Sequence, residues 1–306
     1  MSPVVPVLAI DAPLESDECV LACVTFGETT RLEPANRLRL ALPAFGPLKV
    51  ETWQSATPVV HDSRDGVSFA RNDEVLFGMV VADDPDVETA ARRAYRSIVD
   101  IIRRERFPFL LRAWNHVRDI NAGDGDAERY KRFCAGRSDA LIGSGFEKRD
   151  FPAASAVGMR EGSVAIYFLA SNTPGANVEN PRQMSAYEYP RQYGSRSPSF
   201  ARATIARGVV FVSGTASVVG HETLHAADVR GQMDETLTNL AGILAVCGAG
   251  VDGVRQAKVY VRHQTDVDPI RARFEVAFPA ASLLVVQSDL CRRELLLEAE
   301  VVASLD

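Results

Sequence analysis

Excess positive charge is missing from this chain: 34 Lys and Arg stand against 40 Asp and Glu, a formal net charge of -6 over 306 residues. That balance leaves no electrostatic footprint for nucleic acid or for an anionic membrane surface, so an anionic ligand has to be captured by a local cluster. Long apolar runs are missing too. None approaches the roughly 20 residues of a membrane span. The opening MSPVVPVLAIDAPLESDE has no basic residues before its apolar run and no small-residue cleavage site after it, which predicts a cytosolic protein. Cysteine is scarce and unpatterned. Cys19, Cys23, Cys134, Cys247 and Cys291 are odd in number, and Cys19 and Cys23 lack a matching second pair, so reduced thiols are expected, with no metal site and no cofactor.

What is present is 46% apolar residues, enough for two cores. Residues 1–66 show short apolar alternations broken by Pro34, Pro43, Pro47 and Pro58 and read as a strand-rich N-terminal extension. Residues 67–171 and 172–306 then run through the same order twice. Ser68-Phe69-Ala70-Arg71 recurs as Ser199-Phe200-Ala201-Arg202, and Phe151-Pro152-Ala153-Ala154-Ser155 recurs as Phe278-Pro279-Ala280-Ala281-Ser282. Between them lie a strand, a helix, a strand and a second helix. Asp84-Pro85 is expected to open the first helix and Ala127 to Ala140 to form the second; Asp228 to Cys247 and a helix opened by Asp268-Pro269 are their counterparts. The expected fold is α+β, two β-β-α-β-α-β-β units whose bare sheet faces pack on each other.

Between the halves lies ENPRQMSAYEYPRQYGSRSPSFARA, residues 179–203, with four arginines and three tyrosines. Arginine offers a planar fork for carboxylates and tyrosine a rigid ring with a polar tip. The stretch reads as a substrate cradle for a small organic anion or as a solvated linker, and its place between two repeats favours the cradle. Tyr187, Arg191, Tyr193 and Arg202 are its candidate ligands, although Arg71 stands at the matching place of the other SFAR tetrapeptide. Ser213-Gly214-Thr215-Ala216-Ser217 ends a strand where glycine lets backbone approach a ligand, so the N–H groups of Gly214, Thr215 and Ala216 are further candidates.

In the last strand Glu298 and Glu300 share one face. Aligning Val302-Ala303-Ser304 with Leu169-Ala170-Ser171 sets Ala165 opposite Glu298 and Tyr167 opposite Glu300, so one copy carries acids that the other lacks. A glutamate buried among apolar strands has its pKa raised and can act as a general acid near neutral pH. Glu298 is the expected acid and Glu300 the alternative. His221-Glu222-Thr223-Leu224-His225 satisfies HExxH, which binds zinc when it lies on a helix with a third ligand. Here it follows Gly220 directly after a strand and is expected in a loop, so a zinc hydrolase is the weaker reading.

The order of elements, Ser213-Gly214-Thr215 and the strand Leu297-Glu298-Ala299-Glu300 resemble the RidA/YjgF imine-deaminase superfamily, with Glu298 at its catalytic glutamate. At the place of that superfamily's carboxylate-binding arginine stand Ala154 and Ala281, which turns the reading away from imine deamination. A narrower resemblance rests on Asn180-Pro181-Arg182-Gln183, Ser185-Ala186-Tyr187, Tyr189-Pro190-Arg191, Tyr193-Gly194, Ser199 to Ala203, Ser213 to Ser217, Val219-Gly220-His221 and Glu235-Thr236-Leu237 with Asn239-Leu240. Together these resemble the chorismatases, which split pyruvate from chorismate. The resemblance implies chorismate as substrate, no nucleic-acid or membrane partner, and either a monomer or an oligomer of the RidA kind. It also implies that Cys291 marks the branch releasing hydroxybenzoate, 3-hydroxybenzoate by preference, whereas members with a smaller residue there add water and release a dihydroxycyclohexadiene carboxylate. A binding module that has kept the fold without the chemistry is the remaining alternative.

Overall fold

The computed structural model describes residues 4–9 and 18–305; the expectation for the opening segment lies largely outside them. Hairpin-forming alternation starts the first unit, with strands β1 (Val60–Arg64), β2 (Val67–Arg71) and β3 (Val75–Ala82). Helix α1 (Val87–Arg104), β4 (Phe109–Arg118), α2 (Arg129–Gly143), β5 (Ala153–Met159) and β6 (Val164–Ser171) follow. The second unit consists of β7 (Ala176–Val178), β8 (Ala203–Ala206), β9 (Val209–Val212), α3 (Val229–Val246), β10 (Val254–Val261), α4 (Val267–Ala277), β11 (Ser282–Gln287) and β12 (Leu297–Ser304). The first sheet has the order β5-β4-β6-β3-β2-β1. The second has β11-β10-β12-β9-β8-β7, with Ala44–Phe45 added outside β11. The parallel pairs β4/β5 and β10/β11 occupy the same place in both.

Local chemistry sets the helix ends. Asp86, not Asp84, caps α1 by accepting from the Glu88 N–H, because Pro85 precedes the cap instead of following it. In the same way α4 begins at Val267, behind Asp266, so that Asp268 and Pro269 fall inside its first turn. Asp228 caps α3 as expected, accepting from the N–H groups of Arg230 and Gly231, and Gly248 ends it at φ +77°, a conformation glycine adopts without a Cβ clash. Gly136 brings α2 against α1: a Cβ there would lie 2.1 Å from the Glu88 carbonyl oxygen.

The ladders fix the equivalence of the two units. His116 faces Ala165 and Trp114 faces Tyr167 across β4/β6, while Tyr260 faces Glu298 and Lys258 faces Glu300 across β10/β12. Both ladders bulge at the same point, between Leu110 and Arg112 and between Val254 and Gln256. The short sequence repeats, by contrast, are out of step with the fold. Arg112 faces Ala153 and Gln256 faces Ser282, so the last residue of one pentapeptide matches the middle residue of the other. Arg71 pairs with Leu76 in β2/β3, and the matching position in β8/β9 is Ile205, opposite Val210. Arg202 therefore has no counterpart in Arg71, which lies half-exposed in an ion pair with Glu105.

Helices cover one face of each sheet. The other faces meet each other and a third sheet built from Val4–Ala9, Val20–Gly27, Arg31–Glu33, Arg37–Ala41 and Val50–Ser55. Trp53 of that sheet stands 5.1 Å from Trp114 and 6.3 Å from Phe211, ring centre to ring centre. One aromatic-rich core thus joins all three sheets, and burial of such large rings is its main driving force.

Candidate active site

β12 carries both acids onto the central face, and both are buried, Glu298 at 4% and Glu300 at 5% exposure. Their surroundings differ. Glu300 accepts from Arg112 Nη2 at 2.8 Å, Trp114 Nε1 at 2.7 Å, Lys258 Nζ at 2.9 Å and the Ser155 hydroxyl. Burial acts to raise its pKa, but Lys258 and Arg112 outweigh burial and hold the carboxylate down at about 2. Among the described residues no cation is bonded to Glu298. Its hydrogen-bond neighbour is the Cys291 thiol, with Sγ 3.8 Å from Oε2. Burial, and then the Glu300 charge, push its carboxyl up to about 8, so it is protonated at neutral pH.

Gly214 makes room for that acid. A Cβ at this position would stand 2.0 Å from Glu298 Oε1. β9 stops at Val212, and its ladder with β12 resumes only at Thr215 opposite Ala299, one residue out of register with Val209 opposite Ser304. The N–H groups of Ser213, Gly214 and Thr215 are spent on the carbonyls of Arg202, Ala154 and Ala299. They are therefore not available to hold a ligand carboxylate.

Glu298, Cys291, Gly214 and Ala216 line a cavity of about 240 Å³ together with Arg202, Arg292, Tyr189, Tyr193, Tyr130, Phe200 and Gln183. Lys131, Arg293, Glu128 and Glu294 supply the other charged groups of the wall. With Glu298 protonated, four cations face two carboxylates, a local positive excess on an acidic protein. Arg202 is buried; its Nη2 donates to the Met184 carbonyl at 2.7 Å and to Tyr189 at 2.8 Å, and its Nε–H has no acceptor among the described residues. Arg292 lies over the Tyr193 ring, 4.3 Å from its centre, and donates to the His221 carbonyl and Thr223. Tyr193 fixes the same loop through its own bond to the His221 carbonyl at 2.6 Å. Two buried amides of α3 hold the walls: Asn239 donates to the carbonyls of Ala216 and Val218, and Gln232 to that of Glu294.

Three expected ligands lie elsewhere. Arg191 is exposed and forms a two-pronged ion pair with Asp126 at 2.8 and 2.5 Å, tying the cradle to the loop before α2. Tyr187 packs against Phe151 and beneath Lys148, and Thr215 is buried in the ladder. The HExxH segment is a β-hairpin, with Val218–Val219 paired to Glu222–Thr223 and His225 at φ +57°, so its histidines are not one helical turn apart. Asp228 and Glu235, two acids downstream of the motif, are otherwise engaged: Asp228 caps α3 and Glu235 pairs with Arg182. The residues that sequence reasoning missed are Arg292, Tyr189, Arg112 and Lys258. Arg292 adjoins Cys291, and Tyr189 was in the cradle, but no local signal marks the two cations on the central strands.

A family model described as Chorismatase FkbO/Hyg5-like, N-terminal, matches residues 51–170, and one described as Endoribonuclease L-PSP matches residues 195–305. The chain is 37% identical to a 3-hydroxybenzoate synthase of Streptomyces hygroscopicus over 88% of this chain and 85% of that protein. It is 36% identical to a chorismatase of Streptomyces rapamycinicus, over 83% and 82% respectively. A crystal structure of a chorismatase superposes with a TM-score of 0.91 at 31% identity and covers 99% of both chains. The chain belongs to the chorismatase family.

Proposed function

We propose that this protein converts chorismate into pyruvate and 3-hydroxybenzoate, with Glu298 as general acid. The observation that carries the reading is the buried Glu298 carboxyl, without a bonded cation among the described residues, in a cavity where four cations outnumber two other carboxylates. Chorismate is a dicarboxylate with an enolpyruvyl ether. Arg202 and Arg292 are suited to its two carboxylates, since guanidinium forks bind carboxylate strongly when desolvated. Glu298 then protonates the terminal methylene carbon and creates an oxocarbenium ion. The neighbouring ring hydroxyl oxygen closes on the carbon that the pyruvate leaves, its bond to its original ring carbon then breaks, and loss of the hydrogen on the carbon that now bears the oxygen, as a proton to the Glu298 carboxylate, makes the ring aromatic and restores the acid. No water is consumed. Cys291, half-buried beside Glu298 with its thiol pKa raised by burial, fills space that a hydrolytic water would need, which favours hydroxybenzoate over the dihydroxycyclohexadiene carboxylate.

On this reading residues 1–66 are an extension, 67–171 a first unit without an active site, and 172–306 the cradle and catalytic unit. The three sheets satisfy one another within one chain, so a monomer suffices. No helix among the described residues is long and apolar enough to cross a membrane, and cysteines outside disulfides suit the reducing cytoplasm. Incubation with chorismate followed by chromatography tests the proposal: pyruvate and 3-hydroxybenzoate should appear in equal amounts. A dienoate would replace the product assignment, and intact chorismate would remove the activity.

A further inference from the structure

Glu51, Lys258, Glu300 and Arg112 form a buried cluster of two anions and two cations. Lys258 Nζ lies 2.6 Å from Glu51 Oε2 and 2.9 Å from Glu300 Oε1, and Arg112 Nη2 lies 2.8 Å from Glu300 Oε2. Glu51 belongs to the N-terminal sheet, Arg112 to the first unit, and Lys258 and Glu300 to the second. Each Glu300 oxygen accepts two donors, Arg112 and Ser155 on one, Trp114 and Lys258 on the other. A proton on that carboxyl would have to displace one of them. None of these four side chains lines the catalytic cavity, and the mechanism above uses none of them.

We propose that Glu300 is a positioning residue for the acid: the three-sheet cluster holds it as a permanent anion on the same face of β12 as the buried Glu298, that anion adds to burial in keeping Glu298 neutral, and the N-terminal sheet therefore tunes catalysis through Glu51. Glu298 shares its cavity with Arg292, Arg293, Lys131, Glu128 and Glu294, and the groups that bear on it most closely come from several elements. Glu300 adjoins it on β12, Tyr260 comes from β10, Arg112 from β4, Cys291 from the preceding loop and Arg202 from the end of the cradle. Arg112 is engaged by Glu300, and Arg202 by Met184 and Tyr189. The fixed anion also makes an ionised Glu298 unfavourable, which drives recovery of the proton after it has been given up. Two carboxylates in surroundings that push their proton affinities apart are a known way to assign acid and anion roles.

The inference rests on the proposed function, and its test separates the two. Glu298 is read directly by infrared titration of its protonated carbonyl band, as wild type minus Glu298→Gln, and in parallel by the alkaline limb of kcat against pH. Glu300→Gln should move both to lower pH by about one unit or more, the usual effect of removing a nearby like charge. Glu51→Gln, which leaves the cluster with one extra positive charge, should move them in the same direction by less. The double variant Glu51→Gln/Lys258→Met restores neutrality and should bring both back toward wild type, a rescue that a purely structural role does not give. Titration of Glu298 unchanged in Glu51→Gln, or a double variant displaced further than the single one, overturns the inference even if Glu300→Gln fails to fold. Chorismate left intact by the wild type would refute the functional reading instead, while the infrared titration would still decide this one.

Discussion

At four matched positions the two sister sheets carry opposite chemistry. The first has His116, Trp114, Ala165 and Tyr167; the second has Tyr260, Lys258, Glu298 and Glu300. Each set lies buried in the same ladder with the same bulge. In the first sheet β3 runs without interruption from Val75 opposite Ser171 to Ala82 opposite Val164, whereas β9 breaks off at Val212 beside the cavity. The fold therefore needs neither the acids nor the break. Both belong to the copy that carries the proposed site, and on that proposal the burial of an uncompensated carboxyl at Glu298 is a cost to stability accepted for chemistry.

The sharpest test of that contrast is Glu298→Gln, which keeps the shape of the acid and removes its proton. Turnover of chorismate should fall roughly a hundredfold or more, the usual scale for a general acid, while folding survives because Ala165 fills the matching place. Linkage adds a pH signature. With its pKa raised from 4.5 to about 8, Glu298 supports stability fully below pH 4.5; that support falls as pH rises and is lost above about 8. Denaturant melts at pH 6 and pH 9 should show the wild type losing stability relative to Glu298→Gln, and equal losses in both would contradict burial of a neutral carboxyl.

Gly214→Ala tests the break in the second sheet. The added methyl must displace the Glu298 carboxyl, and a misplacement of about 1 Å costs up to about a hundredfold. A fall in kcat with little change in KM is expected; unaltered kinetics would mean that the acid is held elsewhere. Arg202→Ala comes next. Loss of a desolvated charge-assisted pair of about 2 kcal/mol should raise KM about thirtyfold, with kcat less affected. Smallest is Arg191→Ala: an exposed ion pair contributes between 0 and about 1 kcal/mol, so kinetics should change less than about twofold. A large rise in KM there would show that Arg191 leaves Asp126 to meet the substrate.

Much of this was legible in the chain because it depends on local rules. Period-two alternation on Leu297 to Ser304 placed Glu298 and Glu300 on one face, and the ends of α3 were written in Asp228 and Gly248. The register of the sister strands also followed from sequence, since Leu169-Ala170-Ser171 aligns with Val302-Ala303-Ser304 in the ladders as well. The tetrapeptide and pentapeptide repeats pointed to duplication, yet they misled on equivalence. A strand can slip by two or three residues while its short motifs stay alike, and an odd slip turns a side chain to the other face.

Alternation, capping and the repeated order of elements, all properties of neighbours along the chain, determined the α+β units and the strand that bears the acid. Tertiary structure decided which acid is free and which is fixed. That choice depends on Arg112, Lys258 and Glu51, which lie 188, 42 and 249 positions from Glu300 in the chain and meet it or its partner only where three sheets converge. It also decided that Arg202 faces the cavity while Arg191 faces Asp126, because the direction of a loop side chain is set by what packs beneath it and not by the residue type beside it.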